Sequence, residues 1–126
     1  NEDDKMDFRS NNVVLNEKTW IRYKSEIVSG CSVADQEFLS KIKKNYGFSY
    51  NIDTIKFNSP SIFLVGLQDS VVGYKDAFKL LEHFPRATFA VLDKAGHNLQ
   101  IEQENLFNAL INDWLDRLLE VKEQIK

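Results

Sequence analysis

Hydrophobic positions change their spacing near residue 55. Before it, apolar side chains recur at steps of three and four, the period of helices lying on a surface. In "NEKTWIRYKSEIVSG" the stripe is Trp20, Ile21, Tyr23, Ile27 and Val28, with Asn16 as the expected N-cap and Gly30 as the expected stop. In "SVADQEFLSKIKKNYG" the stripe is Phe38, Leu39 and Ile42. Ser32 is the expected cap, Asp35 stands three residues on, and Gly47 is the expected end. Lys41, Lys43 and Lys44 fall in its last turn, where cations match the helix dipole on a solvated face.

After residue 55 the apolar residues come in short unbroken runs. "PSIFLVGLQD" holds Ile62 to Val65 between Pro60 and Gly66, which predicts a strand buried on both faces. "GYKDAFKLLEHFP" returns to helical spacing through Tyr74, Ala77, Phe78, Leu81 and Phe84 and halts at Pro85. "ATFAVLD" is a second strand. "QENLFNALINDWLDRLLEVKEQI" is a long amphipathic helix with Phe107, Leu110, Ile111, Trp114, Leu118 and Val121 on its buried side. Strand, helix, strand, helix with short links predicts an α/β fold with a parallel βαβα unit. The expected division is a helical segment over residues 1–55 and an α/β part over 56–126. Two parallel strands are too few for a stable sheet, so the unit is expected to complete a larger sheet or to pair with a second copy. No internal repeat or Gly/Ser linker interrupts it.

Composition narrows the partners. The 126 residues carry a formal charge of −3, with 43% hydrophobic and 28% charged residues. That is globular composition, and its mild acidity disfavours nucleic acid or an anionic membrane surface as partner. No apolar run approaches the roughly 18–20 residues of a membrane span. The single cysteine, Cys31, excludes an internal disulfide and a multi-cysteine metal site, which fits a reducing, cytoplasmic setting. Nothing points to a metal, nucleotide or flavin, so no cofactor is expected. "NEDDKMDFRS" is too polar for a signal peptide, and a start at Asn rather than Met predicts a piece of a longer chain.

Ligands of open α/β sheets gather beyond the C-terminal strand ends. Asp69 follows the first strand in "GLQD", and His97 follows the second in "DKAGH". Adjacent parallel strands would bring the carboxylate and the imidazole out side by side. There the Asp can hold one ring N–H and leave the other nitrogen to take a proton. Gly66 and Gly96 are expected to give the sharp turns that this needs. Asp93 is the runner-up partner of His97, but it shares the same short loop. His83, near a helix C-terminus, and Glu102 and Glu104, near a helix start, are expected to match helix dipoles. Trp20, Tyr23, Phe38, Tyr46, Phe48 and Tyr50 crowd the first half, and most of them are expected on the inner face of its helices.

The order of these features resembles the C-terminal end of an α/β-hydrolase fold protein. The likeness runs over residues 58–118 and rests on the apolar strand with Gly66 and Asp69, the helix around Ala77 to Phe84, the second strand with Gly96 and His97, then Glu102 and the helix through Trp114. It implies that Asp69 is the acid and His97 the base of a Ser-His-Asp triad. It also implies that the first segment is part of a helical lid, and that the intact protein hydrolyses a small ester, lactone, amide or carbon–carbon bond. The family's nucleophile stands earlier, on a G-x-S-x-G elbow. None of the five glycines, at 30, 47, 66, 73 and 96, frames such a serine. Cys31 precedes Asp69 in the right order, but helical sequence rather than a strand leads into it. A chain without nucleophile or oxyanion hole is expected to be inactive alone. The alternative is a non-catalytic binding module that self-associates; open sheet edges favour homo-oligomers under either reading.

Overall fold

A computed structural model describes residues 1–124. Helix α1 (Glu2–Asn11) starts at Asn1, whose side chain accepts the Asp4 N–H. Helix α2 (Glu17–Tyr23) starts at Asn16, as its sequence predicts. The Asn16 side chain accepts the Thr19 N–H at 3.0 Å, and the Thr19 hydroxyl accepts the Asn16 N–H at 3.2 Å. Two orphan amides are satisfied reciprocally in this way.

Gly30 does not stop the helix. Helical backbone continues through a π turn (Lys24–Val28) into α3 (Ser29–Ser32). Gly30 lies inside that run, with nothing near its missing Cβ. Ser32 therefore closes α3, donating its hydroxyl to the Ser29 carbonyl, and cannot cap the next helix. Asp35 caps α4 (Gln36–Lys44) instead, accepting the Phe38 N–H at 3.0 Å. That helix ends at Lys44, short of Gly47. Every residue from Asp35 to Asn51 is exposed.

Strands β1 (Ser61–Gly66) and β2 (Ala87–Leu92) pair in parallel, from Ser61 opposite Ala87 to Gly66 opposite Leu92. Between them run α5 (Tyr74–Lys79) and a 3-10 turn (Leu80–His83), ending just before Pro85. After β2 come the short α6 (Leu99–Glu102) and the long α7 (Glu104–Gln124). The expected reach of that last helix to Ile125 lies outside the described residues.

Side-chain alternation sorts the helices between the sheet's two faces. Phe63 and Phe89 are register partners and share a face. Phe84 packs edge-on to Phe63 at 5.2 Å, and Phe78 edge-on to Phe89 at 5.3 Å. Helix α5 and its 3-10 extension thus cover that side. Thr88 points the other way, to α7, where its hydroxyl accepts from Arg117 at 2.8 Å. Trp114 of α7 donates its indole N–H to the Pro60 carbonyl at 2.9 Å. Residues 61–65 are only half-buried, which corrects the expectation of a strand buried on both faces. Two strands give each helix too little sheet to roof.

The best-buried cluster lies off the sheet. Phe8, Tyr23 and Ile101 are 6%, 4% and 2% exposed, with Trp20, Ile27 and Val28 packed around them. The Phe8 ring lies 5.2 Å from both Trp20 and Tyr23. Each such side chain stabilises the fold by roughly 1.5–3 kcal/mol. The cluster ties α1 and α2 to α6, just beyond His97. Farther along, the chain returns from its helical stretch through Phe57, whose N–H donates to the His83 carbonyl at 2.8 Å. Among the described residues no helix is long and apolar enough to cross a membrane.

Candidate active site at the strand ends

The tips of β1 and β2 are stitched together by backbone. Leu67 N–H donates to the Leu92 carbonyl at 2.9 Å and Gln68 N–H to the Ala95 carbonyl at 3.0 Å. The Gln68 side chain adds two more bonds, accepting the Ala95 N–H at 3.2 Å and donating to Asp93 Oδ1 at 2.7 Å. Asp69 is delivered at the end of this seam. Its Oδ1 accepts the N–H groups of Val71 and Val72 at 2.8 and 3.0 Å. Its Oδ2 faces His97 Nδ1 at 3.1 Å.

Burial pushes the Asp69 carboxyl up, but the Val72 and Val71 amides and His97 outweigh it and hold the group below the ordinary aspartate value. An ionised carboxylate only accepts, so Nδ1 must carry the proton in this contact. The other ring nitrogen, Nε2, has no hydrogen-bond partner among the described residues. The carboxylate side chain is 10% exposed and the imidazole 42%. One end of the pair is therefore fixed and the other is presented outward, which suits proton transfer at Nε2.

Both glycines matter for a reason other than turning. Neither has a positive φ; the left-handed residue of the β2 loop is Lys94, at φ 53°. A Cβ on Gly66 would collide with the carbonyls of Ala95 and Gly96. A Cβ on Gly96 would lie 2.6 Å from the Asn11 carbonyl oxygen. Close approach of backbone, not freedom of φ, selects glycine at both positions.

The remaining sequence candidates sort clearly. Asp93 is occupied by Gln68 and does not reach His97. His83 lies at the C-terminal end of its helix as expected, but its ring does something local: Nδ1 sits 3.0 Å from the Ile55 carbonyl. Cys31 is exposed in α3 and lines a surface hollow with Asp4, Tyr23 and Ile27, without contact to Asp69 or His97. Glu104 begins α7 and pairs with Lys18 at 2.7 Å and Arg22 at 3.4 Å, and the Lys18 bond lowers its pKa. Glu102 departs from the dipole reading, since it ends α6 and binds the amides of Val13, Val14 and Gly96. Of the aromatic residues, Trp20 and Tyr23 pack on Phe8, whereas Phe38, Tyr46, Phe48 and Tyr50 stand exposed. Sequence reasoning missed Gln68 and Asn11, whose roles are set by contacts across loops; only the position of Gln68 beside Asp69 was a signal. Among the described residues no group of three or more His, Cys, Asp or Glu side chains could hold a metal ion.

No family model and no curated protein matches the chain. A solved structure does match. The alpha/beta superfamily hydrolase from Oenococcus oeni PSU-1 superposes with a TM-score of 0.85 at 32% identity, over 94% of this chain and 45% of that one. The chain has part of an α/β-hydrolase fold. It spans less than half the length of that hydrolase, and its element order, ending in the His97 loop and α7, fits the C-terminal portion of the fold. In this chain β1 and β2 pair in parallel, and Asp69 and His97 follow their C-terminal ends.

Proposed function

We propose that the chain is the C-terminal portion of a hydrolase that cleaves a small ester, lactone, amide or carbon–carbon bond with a Ser-His-Asp triad. The observation that carries this reading is the 3.1 Å contact between His97 Nδ1 and Asp69 Oδ2 at the ends of adjacent strands. His97 Nε2 takes the nucleophile's proton and then returns it to the leaving group; Asp69 orients the ring and stabilises the imidazolium. The serine and the oxyanion-hole amides come from the part of the fold that precedes this chain, and the helices of residues 1–55 form part of a lid. The 126 residues alone are inactive, because acyl transfer has no nucleophile.

The test is a serine-directed fluorophosphonate probe. The chain alone gives no adduct, and the protein extended upstream to include a G-x-S-x-G elbow gives one adduct per molecule. Stoichiometric labelling of the chain alone would defeat the proposal. A second reading, a non-catalytic module that pairs with its own copy, draws on both strands having open edges and on exposed apolar residues such as Val71, Val72 and Phe78. It requires an upstream reading frame that lacks the elbow.

A further inference from the structure

One buried carboxylate takes no part in the chemistry assigned to Asp69 and His97. Glu102 is 8% exposed and makes no ion pair among the described residues. Its two oxygens take three backbone amides from two stretches, one just before α6 and one far back in the chain. Oε2 accepts the Gly96 N–H at 2.6 Å, while Oε1 accepts those of Val13 at 2.6 Å and Val14 at 2.8 Å. The next amide along, that of His97, donates to the Asn11 carbonyl at 2.8 Å. The backbone leading into the imidazole is therefore gripped on consecutive N–H groups, one by Glu102 and one by the segment that Glu102 also holds.

We propose that Glu102 is a positioning residue for His97: its carboxylate locks the Gly96–His97 backbone to the Asn11–Val14 segment and so keeps the ring on Asp69. Charge is what makes the grip possible. A carboxylate accepts at both oxygens, and amide bonds to it are stronger than neutral ones. A glutamine would turn an NH2 toward either Gly96 or the two valines and lose that leg. A group serving only the dipole of α7 would show no such asymmetry. The proposal rests on His97 being the triad base for its catalytic meaning, but its test reads His97 directly.

The experiment compares isotopically labelled wild-type chain, Glu102→Gln and Glu102→Ala by NMR, following the ring nitrogens of both histidines and amide hydrogen exchange. In Glu102→Gln the amides of the lost leg, either Gly96 or Val13 and Val14, and the His97 amide exchange at least about tenfold faster. The share of His97 protonated on Nδ1 falls, while the His83 ring and the β2 amides keep their wild-type values. Glu102→Ala shows a larger change of the same kind; should it fail to fold, Glu102→Gln decides. His97 signals identical to wild type in Glu102→Gln overturn the proposal, as does a loss of protection spread equally over His83 and β2. Asp69→Asn is run alongside. A His97 ring unaffected by that change sinks the triad reading and leaves the exchange test of Glu102 standing.

Discussion

Gly66 and Gly96 meet where β1 and β2 end: a methyl group on Gly66 would overlap the carbonyl oxygens of Ala95 and Gly96. Asp69 and His97 each follow one of these glycines within three residues. The spacing of the pair is thus set by how closely two backbones can approach.

Gly66→Ala should therefore destabilise the chain by about 1–3 kcal/mol, the range for overpacking in a site that cannot yield. Gly30→Ala is the matched control. Gly30 sits in helical backbone with nothing within 4 Å of its Cβ position, so alanine there should stabilise by about 0.5–1 kcal/mol. Urea denaturation of the two variants checks both signs. Equal effects would remove the close-approach argument.

Acid should weaken the fold through Asp69. Its carboxyl binds a proton less readily in the folded chain than in the unfolded one, whose value lies near 3.8. The stabilisation is fully present above that value and is lost as pH falls through the lower folded one. Asp69→Asn lacks the contribution, so the stability difference between wild type and variant should shrink on acidification. Denaturation midpoints from neutral pH down to about pH 2 measure it, and a difference independent of pH would contradict the assignment.

In the upstream-extended protein, His97→Ala and Asp69→Asn should each lower kcat on a small ester by roughly 10³-fold or more, and the double variant should fall little further, because triad members act as a unit. Steady-state kinetics on an activated ester tests this. Turnover surviving His97→Ala would end the triad assignment.

Phe8→Ala should cost about 3–5 kcal/mol, the range for deleting a buried aromatic side chain. Phe8 carries the contacts to Trp20 and Tyr23, and its cluster joins α1 and α2 to Ile101. Loss of helical circular dichroism at lower denaturant measures the effect. An unchanged midpoint would mean that the first helices fold independently of the His97 side of the molecule.

The parts of this architecture written in local sequence were legible. Pro60 and Gly66 bracket β1, Asn16 caps α2, and the stripe through Phe107, Leu110, Ile111, Trp114, Leu118 and Val121 marks the half-buried side of α7. Asp69 and His97 could be paired because parallel strands place their ends together. What escaped was decided between distant residues. Glu102 reads as an acid near a helix start, yet its partners lie 89 and 88 residues away at Val13 and Val14. Gly96 reads as a turn glycine, yet Asn11 selects it. The stop expected at Gly30 failed because glycine permits helical backbone as well as ending it.

The helical stretch is moored on both sides of its outer arc: before it, Val13 and Val14 rest on Glu102 and Tyr23 packs with Phe8 and Ile101, and after it, Ile55 and Phe57 rest on His83. Its outer arc, Asp35 to Asn51, is exposed throughout and touches neither mooring. Because closure entropy grows only logarithmically with loop length, residues can be added to or removed from that arc at small cost. Variation there leaves the mooring beside His97 as it is. If the helical stretch is the lid proposed above, its outer arc can drift in sequence while the His97 loop stays in register.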